Sequence, residues 1–185
     1  IGKRAISIAA DDLSRDYGDA NPGLTYTVGG RGLVNGDTLT GALATLAGLT
    51  SNVGSYGITQ GTLAASGNYD VTGFTGGTLT VGRRAITITA DNTSRDYGDA
   101  DPGFAYTVGG KGLVNGDTLT GALASNATQA SGVGSYGILQ GTLAASGNYD
   151  ITGFTGGTLT IGKRAISIAA DDLSRDYGDA NPGLT

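Results

Sequence analysis

The sequence contains no cysteine, histidine, methionine or tryptophan, and all 16 of its acidic residues are aspartate. A chain without cysteine and histidine can form no disulfide, no thiolate nucleophile, no imidazole base and no ordinary zinc or copper site. A Ser-His-Asp triad is excluded for the same reason. We therefore expect no enzymatic activity, no catalytic residues and no cofactor other than a calcium ion, which is considered below.

Long apolar runs and clusters of positive charge are also missing. No stretch approaches the roughly 18 apolar residues of a membrane-spanning helix, so we do not expect the chain to cross a membrane. The formal net charge is −5 at pH 7, and the 11 cations mostly occur singly or as pairs in "GKR" and "GRR". Because no basic stripe is available to neutralise phosphates, we expect no nucleic-acid partner.

Glycine, threonine and serine are abundant instead, with 35 glycines among the 185 residues. The good helix formers lysine and glutamine are scarce, and glutamate is absent. This composition favours short β-strands joined by tight turns over helices. We therefore predict an all-β fold.

The chain repeats itself with a period of 80 residues, because Ile1, Val81 and Ile161 each begin the same text. A unit of about 80 residues is large enough to be a domain by itself. We predict three parts, namely a first repeat at 1–81, a second at 82–161 and the truncated start of a third at 162–185. Because the text begins inside the repeated pattern, we expect the chain to be part of a longer array.

The two complete repeats are nearly identical. An ungapped alignment of 1–80 with 81–160 leaves 18 differences, and 161–185 reproduces 1–25 letter for letter. The differences concentrate at 45–52, where "TLAGLTSN" stands opposite "SNATQASG". We interpret this stretch as a permissive loop.

Alternation of apolar and polar residues with a period of two predicts the strands of each repeat. In "AISIAA", Ile6 and Ile8 face one side and their neighbours face the other. "LTYTV", "TLTGAL" and "SYGI" are further predicted strands. "NYDVTGF" and "TLTV" are predicted to form a hairpin across Gly76-Gly77, since two glycines tolerate the positive φ angles of a primed turn.

About sixteen candidate core side chains in each repeat suffice for one small domain. We predict a small β-sandwich of the immunoglobulin-like type in each repeat. A β-grasp-like sheet is the alternative, if "GLVNGDTLTGAL" forms a short helix across it.

The junction between repeats is very short. Only Gly82-Arg83-Arg84 separates the last strand of one repeat from the first strand of the next. Neighbouring domains should therefore sit nearly end to end, in an elongated array with limited bending. The last 25 residues are too few for a domain, and we predict that 165–170 either pairs with the preceding domain or is poorly held.

The stretch "RDYGDANPG" at 15–23 returns as "RDYGDADPG" and again as "RDYGDANPG". Aspartate, glycine and Asn-Pro each favour turns for a different reason. The aspartate side chain can accept hydrogen bonds from the backbone, glycine can adopt positive φ, and proline fixes φ near the value that a turn needs. We interpret the stretch as a structural loop, with the ring of Tyr17 packed on the end of the domain.

The aspartates near this loop are the candidate metal site. Calcium prefers oxygen ligands such as carboxylates, but the spacing matches neither an EF-hand loop nor the glycine-rich nonapeptide of calcium β-rolls. The candidate ligands are Asp11, Asp12, Asp16, Asp19, Asp91, Asp96, Asp99 and Asp101.

Five motifs follow one another in both complete repeats, with small substitutions in the second. They are "RDYGDANPG", "GLVNGDTLTG", "VGSYGI", "GNYDVTGF" and "GGTLTV". This pattern resembles the MBG repeat of the YGX type, a relative of YDG repeats, over the whole chain. The resemblance implies a tandem all-β array in a large bacterial surface adhesin, such as the filamentous-haemagglutinin-like exoproteins of two-partner secretion. It also implies an extracellular location at the bacterial cell surface and a role in cell adhesion or the biofilm matrix.

Two functions fit these features. As a structural module, each repeat is a link in a stalk that extends a distal adhesive region, and the short junctions favour this interpretation. As a binding module, each repeat would hold an extracellular polysaccharide or another adhesin copy weakly, and the array would multiply that grip. The candidate ligand-binding residues are Arg15, Tyr17 and Asp19 in the first repeat and Arg95, Tyr97 and Asp99 in the second.

Overall fold

A computed structural model describes residues 1–184, and within them every regular element is a β-strand. These residues therefore contain no helix that could cross a membrane. The strands of the first unit are β1 (Arg4–Ala10), β2 (Leu13–Asp16), β3 (Tyr26–Gly30), β4 (Ala44–Thr45), β5 (Gly54–Thr59), β6 (Tyr69–Thr75) and β7 (Gly77–Gly82). Those of the second unit are β8 (Arg84–Ala90), β9 (Thr93–Asp96), β10 (Tyr106–Gly110), β11 (Ala124–Ser125), β12 (Gly134–Leu139), β13 (Tyr149–Thr155) and β14 (Gly157–Gly162).

Each unit consists of two sheets. In the first unit a three-stranded sheet has the order β3-β1-β6 and a four-stranded sheet has the order β2-β7-β5-β4, and the second unit repeats both orders. β1 is antiparallel to β3 and parallel to β6, while β7 is antiparallel to β5 and parallel to β2. Every strand pair described in residues 1–184 joins strands of the same unit.

The apolar core lies between the two sheets of each unit. In the first unit Ile8 of β1 packs with Ile58 of β5 and Leu79 of β7, and each is at most 1% exposed. The period-two alternation in β1 places Ile6 and Ile8 inward, as predicted. The all-β fold of tandem domains is thus confirmed, and the contact between sheets makes each domain a sandwich.

Two details of the predicted topology differ. Each sheet contains one parallel pair, whereas immunoglobulin sheets are antiparallel. The β-grasp alternative required a helix at "GLVNGDTLTGAL", but the chain there turns sharply. Asp37 N donates to Val34 O across Asn35 and Gly36, which both have positive φ, at 56° and 75°.

The predicted hairpin across Gly76-Gly77 is wrong. β6 and β7 belong to different sheets, and neither glycine has a positive φ, so no primed turn is present. The glycines are needed for space. A Cβ on Gly77 would lie 2.6 Å from the Asp11 carbonyl oxygen, and one on Gly76 would lie 2.9 Å from the Ile58 carbonyl oxygen.

Residues 163–184 form no strand and are exposed. Ile166 and Ile168, which correspond to the core residues Ile6 and Ile8, are 82% and 90% exposed. The stretch 165–170 therefore does not pair with the preceding domain. In the complete units the same residues pair with strands of their own unit, and the described residues 163–184 contain no counterpart of those partner strands.

Candidate functional site

The loop that follows β2 is held by a buried arginine. Arg15 is 8% exposed, and its guanidinium donates to Asn21 Oδ1 at 2.7 Å, to the Gly48 carbonyl oxygen at 2.5 Å and to the Asp16 carbonyl oxygen at 3.1 Å. These hydrogen bonds join three segments of the first unit and involve a charged group. They therefore fix the shape of the loop without any contribution from the second unit.

Tyr17 projects from this loop onto the second unit. Its side chain is only 4% exposed and packs in a cluster with Val81, Ile86 and Tyr149. The rings of Tyr17 and Tyr149 meet edge to face, with centroids 5.5 Å apart and an interplanar angle of 79°. This geometry is favourable for aromatic pairs, so the tyrosine stabilises the contact between neighbouring domains.

Gly18 brings the loop backbone against the second unit. Its φ is 79°, and a Cβ placed there would lie 2.3 Å from Cγ2 of Val114. Val114 in turn donates its backbone N–H to the Tyr149 hydroxyl at 3.0 Å, and that hydroxyl donates to Asp117 Oδ2 at 2.7 Å. Burial raises the pKa of the Tyr149 hydroxyl above its ordinary value, which keeps it protonated as a donor.

Arg84, the first residue of β8, bonds the loop to the second unit. Its guanidinium donates to Asp19 Oδ1 at 2.7 Å and to the Tyr17 carbonyl oxygen at 3.2 Å. It also donates to the Lys111 carbonyl oxygen at 2.6 Å and to the Gly112 carbonyl oxygen at 3.0 Å. Since the Arg84 side chain is only 12% exposed, its ion pair is shielded from water on one side.

Lys111 adds a second cation to the same contact. Its ammonium lies 2.5 Å from Asp16 Oδ2 and 3.5 Å from Asp19 Oδ2. The hydrogen bond to Asp16 raises the pKa of Lys111, and the hydrogen bond from Arg84 lowers the pKa of Asp19. The acidic end of the first unit thus faces a basic end of the second.

A separate polar contact involves Asn148, which precedes β13. Its Oδ1 accepts from the backbone N–H of Val53 at 3.1 Å, and its Nδ2 donates to Asn52 Oδ1 at 2.9 Å. The loop before β5 therefore also touches the second unit, independently of the tyrosine loop.

The tyrosine loop and the Asn148 contact lie on opposite sides of the covalent junction, because they adjoin the strands β2 and β5 that flank β7. β2 ends beside Gly82 and β5 begins beside Val81, while β7 runs between them into the junction. Tyr17 directly follows β2 and Val53 directly precedes β5. A single covalent link would leave the domains free to bend, whereas contacts on both of its sides oppose bending in either direction.

We call residues 15–23, and 95–103 in the second unit, the tyrosine loop. The surface that receives it is called the docking surface and consists of Arg84, Lys111, Val114, Asn148 and Tyr149. Sequence reasoning missed this surface because it considered the cations of "GRR" only as a possible basic stripe for nucleic acid. The signal was present in the charge pattern, since an acidic loop and a basic pair recur in every period of 80 residues.

The tyrosine loop of the second unit has the same sequence environment without a complete neighbour. Tyr97 is 47% exposed, against 4% for Tyr17. Arg164 repeats the role of Arg84 by donating to Asp99 Oδ1 at 2.7 Å, but both side chains are more than half exposed. The arginine-aspartate pair thus forms in both copies, while burial of the tyrosine requires the folded neighbour.

The structure does not assemble the predicted calcium ligands into one site. Within residues 1–184 no three carboxylates converge. Asp11 accepts from the Thr25 hydroxyl at 2.6 Å, and Asp12 accepts from the backbone N–H of Thr78 at 2.7 Å. Asn92 makes the same bond to Thr158 at 2.8 Å in the second unit, so this hydrogen bond to the backbone does not require a carboxylate.

The remaining calcium candidates are engaged with cations or lie apart. Asp16 and Asp19 face Lys111 and Arg84, as described above. In the second unit Asp101 pairs with Arg95 at 2.6 Å and Asp99 with Arg164. The other two candidates of that unit are Asp91 and Asp96, and no described group of three includes them. The geometry therefore gives calcium no support at these residues.

Most of the proposed ligand-binding residues are buried or bonded to other parts of the chain, whereas a binding surface requires exposed side chains. Arg15 and Arg95 are each 8% exposed and hold their own loops. Tyr17 and Asp19 are engaged with the neighbouring domain. Tyr97 and Asp99 are the most exposed of the six candidates, and their first-unit counterparts contact the second unit.

The fold defines the class of protein as a tandem array of small β-sandwich domains joined by a loop-and-surface contact. The model of the family described as MBG domain (YGX type) matches residues 6–80 and again residues 86–160. These two matches cover most of the chain, which therefore belongs to this family. No curated protein and no solved structure matches the chain.

Proposed function

We propose that this chain is a stalk segment of a long bacterial surface adhesin of the filamentous-haemagglutinin-like, two-partner-secreted type. In this role the tandem domains extend a distal adhesive region away from the cell, in cell adhesion or in the biofilm matrix. The proposal includes an extracellular location and no catalytic activity. Two tandem matches to a repeat family typical of surface proteins support it.

The observation that carries the proposal is the double contact at the junction between domains. A spacer must keep its length when it is pushed or bent, and a flexible linker would let the domains fold back on each other. Here the tyrosine loop and the Asn148 contact flank the junction. Each added repeat would therefore extend the array in a defined direction.

Distance measurements between spin labels test this stiffness. Because the chain has no cysteine, cysteines introduced at the exposed positions Ser55 and Ser135 would be labelled uniquely. We expect a narrow distance distribution in the otherwise unchanged chain. We expect a broad one after Tyr17→Ala, with Tyr177→Ala as the matched control. A broad distribution in the unchanged chain would refute the stalk proposal.

The alternative function is weak binding of an extracellular polysaccharide by each repeat. Of its six proposed residues, Tyr17 and Asp19 contact the neighbouring domain, and Arg15 and Arg95 hold their own loops. A glycan array probed with the protein separates the two functions. Under the stalk proposal no glycan is retained specifically. Retention that Tyr97→Ala abolishes and Tyr177→Ala leaves intact would favour the binding module instead.

A further inference from the structure

We infer that Asn126, on the exposed loop that follows β11, is an acceptor for N-linked glycosylation, and that Asn92 is not. The acceptor pattern is Asn-x-Ser/Thr, in which x is any residue except proline. The sequence contains this pattern as Asn92-Thr93-Ser94 and as Asn126-Ala127-Thr128. The inference rests on the proposed extracellular function, since glycans of this kind are carried on surface loops of secreted proteins.

The side chain of Asn126 points into solvent. Asn126 lies in a bend between β11 and β12 and is exposed, and within residues 1–184 no hydrogen bond engages its side chain. Its counterpart in the first unit is Leu46, which is 98% exposed although a folded domain follows that unit. A further domain after the second unit would therefore leave Asn126 accessible as well.

The loop around Asn126 is held in place without the two groups that an acceptor must present. The Ala127 side chain is 8% exposed and belongs to the apolar core, and the Thr128 carbonyl oxygen accepts from Arg95 at 2.7 Å. Thr128 is exposed, and its hydroxyl makes only a 3.4 Å contact with the Ser131 hydroxyl among the described residues. The loop thus leaves both the Asn126 amide and the Thr128 hydroxyl open to an enzyme.

The other match to the pattern is occupied by the fold. Asn92 Oδ1 accepts from the backbone N–H of Thr158 at 2.8 Å. Thr93 and Ser94 belong to β9, which pairs with β14 over its whole length. A transferase that bound Asn92 and Ser94 together would have to open this edge of the sheet, and such an opening costs free energy.

The reaction transfers a sugar to the side-chain nitrogen, and its donor is a hexose activated as a nucleoside diphosphate ester. Nδ2 of Asn126 attacks the anomeric carbon and forms a carbon–nitrogen bond. The bond from that carbon to the diphosphate oxygen breaks, and its electron pair leaves with the nucleoside diphosphate. Nδ2 gives up one of its two protons to a base of the transferase, so the glycosylated amide stays neutral.

The acceptor loop distinguishes the second unit from the first. The corresponding stretches of the first unit are Asp12-Leu13-Ser14 and Leu46-Ala47-Gly48, and neither matches the pattern. Because Leu46 is exposed while the tyrosine loop of its own unit is docked, a glycan at this position leaves the contact between domains free. Differences at 45–52 would therefore select which repeats carry a glycan without altering the array.

Glycosyl transfer to the purified, folded chain tests the inference. The probe is UDP-glucose with a soluble bacterial N-glycosyltransferase that recognises Asn-x-Ser/Thr, and mass spectrometry locates the added hexose. We expect one hexose on the folded chain, at Asn126. Tryptic peptides 85–95 and 112–163 of the denatured chain each contain one intact pattern, and both should react. On the folded chain Asn126→Gln should abolish the transfer, and Asn92→Gln should leave it unchanged.

The first unit offers matched gain-of-function variants. Leu46→Asn combined with Gly48→Thr completes the loop pattern and should add a second hexose to the folded chain. No atom lies within 4 Å of a Cβ placed on Gly48, so the threonine fits. Asp12→Asn completes the other pattern and should add no hexose, and circular dichroism checks that every variant is folded.

Two results would overturn the inference. One is a folded chain without a hexose at Asn126, whether or not its peptides react, and the other is transfer to Asn92 in the folded chain. The spin-label distances that test the stalk do not depend on this reaction, so either proposal can fail while the other stands.

Discussion

At the scale of single residues, three tyrosines in nearly the same local sequence have very different neighbours. Tyr17 is 4% exposed, Tyr97 is 47% exposed and Tyr177 is 105% exposed. The first has a folded domain next to it, the second has only residues 163–184, and the third lies within that segment. The loop sequence specifies a turn, while the neighbour decides whether the tyrosine is buried.

The three tyrosines should respond differently to the same substitution. We expect Tyr17→Ala to lower the free energy of unfolding by about 3 kcal/mol, because it removes a buried aromatic ring. Tyr97→Ala should cost about 1 kcal/mol or less, and Tyr177→Ala should stay within about 0.5 kcal/mol of the unchanged protein. Urea denaturation followed by tyrosine fluorescence measures all three, and equal effects would contradict the domain contact.

The ion pairs of the contact predict its pH dependence. The hydrogen bond from Arg84 lowers the pKa of Asp19 below its ordinary value of 3.8. The ion pair of Asp19 therefore stabilises the folded protein fully above pH 3.8, and this stabilisation is lost as the pH falls through the lowered pKa. The raised pKa of Lys111 acts in the opposite range, with an effect that is present below 10.5 and lost in stronger base.

Thermal melting of the protein and of its Asp19→Asn variant at several pH values measures how much the charge of Asp19 contributes to stability at low pH. We expect the unchanged protein to melt at a higher temperature than the variant at pH 6. The difference should shrink as the pH falls below about 4, when the carboxylate of Asp19 becomes protonated. A difference that stays constant down to pH 2 would show that the charge of Asp19 does not contribute.

Asp12 tests whether charge matters at the edge of the sandwich. Asp12→Asn should leave the melting temperature unchanged, because Asn92 makes the equivalent hydrogen bond in the second unit. Asp12→Ala should cost about 1 kcal/mol, since the backbone N–H of Thr78 loses its acceptor. Both variants are compared with and without a calcium chelator, and a chelator effect that Asp12→Asn abolishes would restore the calcium hypothesis.

At the scale of elements, the chain changes sheets where the sequence pattern predicts a hairpin. Residues 11–12 lead from β1 to β2, and Gly76 leads from β6 to β7. Both segments pass from one sheet to the other, and they pass close together, since a Cβ on Gly77 would contact the Asp11 carbonyl oxygen. The second glycine is therefore a requirement of packing between chain segments and not of turn geometry.

A pair of glycine substitutions distinguishes these two roles. Gly77→Ala should destabilise the protein by about 2 kcal/mol, because the new methyl group forces the two crossing segments apart. Gly57→Ala, in the exposed part of β5 with no atom within 4 Å of the added carbon, should change stability by less than about 0.5 kcal/mol. Chemical denaturation measures both, and a neutral Gly77→Ala would refute the close approach.

At the scale of the whole molecule, complementary ends organise the array. Each unit carries an acidic tyrosine loop at the end that leads into the next unit and a basic docking surface at the other end. The same contact can therefore repeat at every junction without a change of sequence. This requires only that the residues of the tyrosine loop and of the docking surface recur in each unit, and in both complete units they do, with Arg31 in the place of Lys111 and Asp101 in the place of Asn21.

Identical text should also show different protection from solvent. Residues 5–10 and 165–170 both read "AISIAA", but only the first lies in a strand. We expect slow amide hydrogen exchange at 5–10 and fast exchange at 165–170. Extending the chain with a copy of residues 26–80 should make both segments slow, whereas persistent fast exchange in the extended chain would contradict the need for partners within the unit.

Local pattern was sufficient for the fold class and for part of the core. The period of 80 residues, the alternation in "AISIAA" and the glycine-rich composition predict tandem all-β domains with Ile6 and Ile8 inside, and the structure has them there. These properties depend on residues that are close in sequence or that repeat at a fixed interval. They can therefore be recognised as a periodic pattern in the sequence.

The pairing of strands and the role of the tyrosine loop depended on contacts between distant residues. Nothing in "GNYDVTGFTGGTLTV" distinguishes a hairpin from a crossing between sheets, because the choice is made by partners in β1, β2 and β5. The arginine that binds Asp19 lies 65 residues further along the chain. Arg84 can bind Asp19 only when both domains are folded and lie side by side, so this role depends on the tertiary structure and not on the local sequence.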